Sequence, residues 1–401
     1  MPETRLNGLK KRIGMKIKFV DLYAQYLSIK EDIDRAIEGV IRNSSYIGGG
    51  PVKTFENEFS SLYGIKHCIS VANGTDSLFI LMKMLGIGKG DEVLTVANSW
   101  ISSSETISQT GAKPVFIDID NVYYSIDENR LEEKITPNTK ALIAVHLQGQ
   151  MCAIGKIKEI CAKHGIFLIE DCAQAHFSEY NGERAGTFGL AGSFSFYPGK
   201  NLGAYGDAGC IITNDDNLAE KCRMYANHGA LKKHHHLMEG INSRLDGMQA
   251  AILSAKLPHI LEWTEKRIIK ADYYSRQLNA LCPQVITPVI RPGTKHTFHL
   301  YIIRTSHRDE LKSFLTDKGI ETMIHYPSIL PVLPAYAYLE EKGENYPVAY
   351  SFQPQILSLP IYPEISTEEI DYVIENIALF YKQYPVVNNS NQENIAATAQ
   401  K

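Results

Sequence analysis

The feature that most constrains this chain is a series of short, largely apolar strand-like segments, most of them followed by a stretch with helical character. KHCISVAN (66–73) precedes DSLFILMKMLG (76–86), and DEVLTVA (91–97) precedes SSSETISQTG (102–111). KPVFIDI (113–119) and ALIAVHL (141–147) follow, then the helical IGKIKEICAKHG (154–165) and the strand-like GIFLIED (165–171). Strands apolar on consecutive positions bury both faces, which requires helices on both sides of a mainly parallel sheet. The expected fold class is α/β, with right-handed crossovers. Ligands should then sit beyond the carboxyl ends of the strands.

The pattern changes from about residue 246. DGMQAAILSAKLPHILEWTEKRIIKADYYSRQLNAL reads as long helices. Strand-like HTFHLYIIR (296–304), a helix at 309–318, strand-like GIETMIHYP (319–327) and a closing helix at 367–381 come next. These predict a smaller α+β domain over 263–385 beside a large domain over 15–262, since 401 residues exceed what one simple core holds. The helix around 28–42 is expected to pack near the smaller domain. Residues 1–14 read as a leader and residues 386–401, polar and without periodicity, as a disordered tail.

Net charge is −4 and no basic stripe stands out, which argues against nucleic acid as a partner. No run approaches the roughly 18 apolar residues of a membrane span. The charges of MPETRLNGLKKRIG have no apolar stretch behind them, so the segment does not read as a secretory signal. Seven cysteines without a CxxC pair predict buried, reduced thiols in a cytoplasmic protein. They have no zinc-type spacing, so no metal site is expected.

Three strand ends carry chemistry. In Asn73-Gly74-Thr75-Asp76, Gly74 permits close backbone approach, Thr75 offers a hydroxyl and Asp76 is a helix-cap candidate. The turn suits a phosphate, although any α/β protein has such turns. Asp171 ends an apolar strand, where a carboxylate needs a partner such as a pyridinium or a helix N-terminus. Glu170 faces the other way by strand alternation and reads as structural, while Gln174 lies three residues beyond Asp171. In SFSFYPGKNLG (193–203), Lys200 sits in a glycine-bordered loop after a strand. It is either a surface lysine or a Schiff-base nucleophile if its surroundings lower its pKa.

NGTDSL, GAKPVFIDID, IEDCAQAH, SFSFYPGKNLGAYGDAG and GINSRLDGMQAAIL, in this order, resemble the nucleotide-sugar aminotransferases of the DegT/DnrJ/EryC1/StrS family. The resemblance runs from about residue 19 to about residue 380. It implies the aspartate-aminotransferase-like type I fold, pyridoxal 5'-phosphate as cofactor, and a homodimer with shared active sites. Lys200 would hold the cofactor as an imine and shuttle protons. Asp171 would pair with the ring nitrogen and Gln174 with the ring hydroxyl. Gly74, Thr75 and Ser195 would hold the phosphate, with Asn242 reaching the partner's cofactor. Trp100 would stack on the ring; the alternative is a core tryptophan. Cys172 departs from the family's alanine, and AHFSEY from its AHGA.

Lys232-Lys233-His234-His235-His236 reads as a mobile basic loop bearing on the substrate's diphosphate. GIETMIHYP is most similar to the sugar 3-aminotransferases, which implies that His325, Tyr326 and Tyr197 contact the sugar. The expected substrate is a dTDP- or UDP-linked 3-keto-(deoxy)hexose with glutamate as donor. The product would serve a surface polysaccharide, such as lipopolysaccharide, or a glycosylated metabolite. Alternatives are a 4-keto-sugar aminotransferase and a non-catalytic, sugar-binding regulatory homologue. A dehydratase of the same fold would carry histidine in place of Lys200.

Overall fold

A computed structural model describes residues 14–383. The expected leader, apart from Gly14, and the expected tail lie outside the described residues. Seven strands build one sheet: β1 (His67–Val71), β2 (Glu92–Val96), β3 (Lys113–Ile117), β4 (Thr139–Val145), β5 (Phe167–Asp171), β6 (Ala191–Ser195) and β7 (Gly209–Thr213). Their order is β1-β7-β6-β5-β4-β2-β3. β7 runs antiparallel to both neighbours, and the other four pairings are parallel. The fold is the expected α/β class with a mainly parallel sheet.

The strand interiors are buried throughout, from Val93 and Leu94 through Leu142 and Ile143 to Ile211 and Ile212. Helices α1 (Lys30–Arg42), α2 (Gly49–Tyr63), α3 (Gly74–Met84), α4 (Ser102–Thr110), α5 (Ile154–His164), α6 (Asp216–Tyr225) and α7 (Gly247–Lys256) accompany the sheet. α5 stops at Gly165, whose φ of +65° a side-chain-bearing residue rarely adopts. α1 does not lie with the smaller core as expected. It packs on α7, and its buried Ile33 joins the same core cluster as the sheet. The reason is periodicity: Ile33 and Val40, seven residues apart, put an apolar stripe on the face toward α7.

A second buried cluster surrounds the antiparallel pair β8 (Tyr301–Arg304) and β9 (Ile356–Leu359). α8 (Ile260–Leu281) serves both cores, with Trp263 in the first and Ala271, Tyr274 and Leu278 in the second. α9 (Arg308–Asp317) and α10 (Thr367–Gln383) close the second cluster, as does Ile17 from the start of the chain. Of two expected strands, one is shorter than read and the other does not form. Residues 296–300 are irregular because their backbone bonds go to a loop near the strand ends: Thr297 N–H reaches Gly149 O and Leu300 N–H reaches Gln148 O. Residues 319–327 change partners, bridging Ile17 through Ile320 and Ser358 through Met323, so no strand forms. No helix among the described residues is long and apolar enough to cross a membrane.

Candidate active site

Register brings the chemistry to one edge. Asp171 ends β5 opposite Val145 of β4 and Ser193 of β6. Ser195 ends β6 opposite Gly209, and Gly209 also lies opposite Val71 at the end of β1. The turn after β1 packs so closely on β6 that a Cβ on Gly74 would stand 2.7 Å from Ser195 Cβ. A Cβ on Gly209 would stand 2.4 Å from the Asn73 carbonyl carbon.

Asn73, not Asp76, caps α3. Its Oδ1 accepts the Asp76 N–H at 2.8 Å, because the cap position falls one residue before the helix and Asp76 is already inside it. The Ser77 N–H goes to Asn73 O. The Gly74 and Thr75 amides have no such partner among the described residues, and the first amides of a helix are where an anion is favoured. Thr75 Oγ1 lies 2.7 Å from Ser102 Oγ.

Lys200 stands at the tip of a closed loop. Phe196 N–H bonds Ala208 O, Ala204 N–H returns to Phe196 O, and Lys200 N–H bonds Tyr197 O. Burial pushes the Lys200 amine down to about 8, with the Asp171 charge opposing. Asp171 is itself buried, which raises its pKa; the Ala173 N–H on Oδ1 at 3.0 Å and the charges of Lys200 and His146 oppose that rise. No other hydrogen bond reaches this carboxylate among the described residues. It is a buried acceptor lacking a cationic donor in contact.

Gln174 is fixed at both ends: its Oε1 accepts the Gln148 N–H at 2.6 Å, and its Nε2 donates to Tyr326 Oη at 2.9 Å. One Nε2 hydrogen stays available. His325 Nδ1 lies 2.8 Å from Ser358 Oγ, and its ring stacks on Phe19 at 5.7 Å. Burial, then the Lys200 charge, pushes His325 down to about 4, so its ring is neutral. Trp100 is not a core residue: it is 59% exposed, with its ring 5.8 Å from that of Tyr326. Tyr197, also 59% exposed, stands three residues before Lys200. Asn242 is exposed and bridges Asn227, and the Oγ of its neighbour Ser243 accepts the Ala72 N–H at 3.1 Å, just before the Asn73–Gly74 turn. The expected mobile loop is instead a short hairpin, Ala230–Lys232 against His235–His236. It turns at His234 (φ +66°) and is tied by His236 Nδ1–H to His228 O.

Behind the site, Glu170 has the structural part expected of it. Its Oε1 accepts the Phe188 and Gly189 N–H groups at 2.7 Å; Oε2 accepts the Gly186 N–H at 2.8 Å and faces His146 Nε2 at 2.9 Å. Burial alone would lower the His146 pKa, but Cys152 and Glu170 outweigh it and push it up to about 10. Glu170→Ala should cost about 3–5 kcal/mol, because it strands a buried cation and three amides. The midpoint of urea unfolding reads this, and an unchanged midpoint would refute it. Four residues were missed from the sequence: His146, Gln148, Lys256 and the fully buried His176, held at about 3 by burial and the Lys200 charge. Only His146, directly after β4, carried a signal, since strand ends are where polar residues count.

The chain is similar to known proteins along nearly its whole length. The model of the DegT/DnrJ/EryC1/StrS aminotransferase family matches residues 27–378. A pleiotropic regulatory protein of Geobacillus stearothermophilus is 45% identical over 371 residues, covering 92% of this chain and 100% of that one. The dTDP-3-amino-3,6-dideoxy-alpha-D-galactopyranose transaminase of Aneurinibacillus thermoaerophilus is 42% identical over 361 residues, covering 90% and 98%. The crystal structure of S. venezuelae DesV in complex with a ketimine intermediate superposes with a TM-score of 0.89 at 39% identity, covering 91% and 98%.

Proposed function

The chain belongs to the DegT/DnrJ/EryC1/StrS aminotransferase family, and from that premise we propose the reaction it runs: transfer of an amino group from glutamate to a nucleotide-linked keto-sugar. It is a pyridoxal-phosphate enzyme. The observation that carries the reading is the pair formed by Lys200, a lysine shifted toward neutrality, and Asp171, a buried carboxylate lacking a cationic donor.

The residues fit that cofactor. Asp171 offers an anionic oxygen to a protonated ring nitrogen, which would replace the compensation it lacks. Lys200 offers a neutral amine for covalent attachment. The Gly74 and Thr75 amides and the Ser195 hydroxyl suit a phosphate, and the free Nε2 hydrogen of Gln174 suits a ring hydroxyl. Trp100 presents an exposed aromatic face beside them. When bound, the cofactor supplies a sink for the electron pair left as a carbon-bound proton departs. Lys200 would be the base that takes up that proton and the acid that returns it. Asp171 would hold the ring nitrogen in its protonated form.

On the substrate side, neutral His325, Tyr326 and exposed Tyr197 would contact the sugar. The reading is a dTDP- or UDP-linked 3-keto-(deoxy)hexose, supported by the transaminase from A. thermoaerophilus, whose name specifies a 3-amino sugar. We place the enzyme in the cytoplasm as a homodimer, with Asn242 serving the partner's cofactor phosphate. The amino sugar would go to a surface polysaccharide or a glycosylated metabolite. The name of the G. stearothermophilus relative favours a second, regulatory reading. Such a protein has no need of Lys200 and Asp171 together, and here both are present.

A panel of dTDP-, UDP- and GDP-linked 3- and 4-keto-sugars, added to the protein carrying the amino form of its cofactor, separates these readings. Recovery of the Lys200-linked visible absorbance should be fastest with a dTDP- or UDP-3-keto-sugar. No recovery with any 3-keto compound would sink the substrate, and no recovery with any sugar would favour the regulator.

A further inference from the structure

Lys256 closes α7 and is 1% exposed. Its Nζ donates to the Gly203 carbonyl at 2.7 Å and lies 4.3 Å from the centre of the Tyr205 ring. Burial pushes this amine down to about 8, with the Glu364 charge opposing. An ammonium is an expensive way to fill core volume, since a methionine of similar length would pack there without losing hydration. The charge is explained by what it grips.

Gly203 is the residue on which the Lys200 loop closes. A Cβ there would stand 2.3 Å from Pro198 O, so the two arms of the loop touch at this point. Two residues on, the Tyr205 N–H donates to Gln249 Oε1 at 2.8 Å, a second tie from the same helix. Directly after Lys200, Asn201 Nδ2 donates to Thr297 O at 3.1 Å. A charge-assisted hydrogen bond is about twice as strong as a neutral one, so the Lys256 tie is the stiffest of the three.

We infer that Lys256 is a positioning residue for Lys200, holding the loop of residues 196–204 against α7 so that the reactive amine stands in one place. It acts through the loop: the influences on the Lys200 amine are burial and Asp171, and Lys256 is not among them. The inference rests on the reading of Lys200 as the point of cofactor attachment.

The test uses the full-length protein, Lys256→Met and Lys256→Arg. Each is stripped of cofactor and mixed with pyridoxal phosphate; attachment is trapped with borohydride over time and mapped to Lys200 by mass spectrometry. Lys256→Met should slow attachment by about tenfold to a hundredfold, the scale of an ångström-sized misplacement. Its kcat should fall by a similar factor, with KM for the sugar within about threefold. Lys256→Arg, which keeps a charged donor, should recover most of both rates. Attachment at the parental rate in Lys256→Met, or no recovery in Lys256→Arg, would overturn the inference. Should Lys256→Met not fold, Lys256→Gln replaces it: slowing of at least about threefold supports the role, and a parental rate overturns it. Absence of trapped Lys200 in the parent protein would overturn the reading of the lysine, and this inference with it.

Discussion

Lys200→Ala is expected to abolish borohydride-trappable attachment and to lower turnover by at least about a thousandfold. A positioned acid–base group alone contributes roughly 10²–10⁴, and here the covalent tether is lost with it. Lys200→Arg should be equally inactive, because a guanidinium stays protonated and cannot form the bond. The parent's pH dependence has a definite sign. Burial lowers the Lys200 pKa to about 8, so the neutral amine predominates above that pH instead of above the ordinary lysine value. At pH 7 about one molecule in ten is neutral. Attachment to the cofactor-free protein should therefore quicken with pH, reach half its limit near 8 and level off only above it. An attachment rate flat between pH 6 and 8, or turnover surviving in Lys200→Ala, would remove this lysine from its assigned place.

Asp171→Asn should move activity and stability in opposite directions. The amide is isosteric and keeps the Ala173 N–H bond through its own Oδ1, but it cannot hold a ring nitrogen protonated. Loss of one preorganised electrostatic partner typically costs about 10²–10³ in kcat. In the cofactor-free protein the carboxylate is a burden, because burial raises its pKa above the ordinary value. A carboxyl group with a raised folded-state pKa favours the protonated form, so its ionised form at neutral pH opposes folding. The cofactor-free Asp171→Asn protein should then unfold at a higher urea concentration than the parent at pH 7, and the difference should vanish as the pH falls through the carboxyl range. A variant both inactive and less stable would mean that Asp171 is a structural anchor.

Much of this was legible in the sequence, for identifiable reasons. The strands were visible because both faces of the sheet are buried, leaving runs such as ALIAV (141–145) without polar relief. Asp171 stood out as a carboxylate closing an apolar strand, whereas Lys200, five residues past Ser195, was only a lysine in a glycine-bordered loop until the family motifs around it gave it a role. Glu170 read correctly as structural from alternation alone, but nothing local named the Gly186, Phe188 and Gly189 amides it would collect. Residues 296–300 and 319–327 were misread because their apolar, β-branched composition suits a strand, while their backbone groups found partners in loops. α1 was misplaced because an amphipathic stripe says that a helix packs and not on what. Lys256 was invisible for the opposite reason: a lysine ending a helix is ordinarily solvated, and only the closing of a distant loop over it makes it interior.

The reversed strand β7 has a consequence for the order in which the protein can become competent. β1 pairs only with β7, the last strand of the sheet to leave the ribosome, so the strand made first waits for the one made last. Gly209 stands between the end of β1 and the end of β6, so only when it is in place is the strand that leads into the Asn73–Gly74 turn joined through the sheet to Ser195. A nascent chain halted just after Lys200 would thus have made the adjoining strands that end in Asp171 and Ser195, yet lack β7 and the residues that close the Lys200 loop. Cofactor capture is in this sense a late event, timed by strand order.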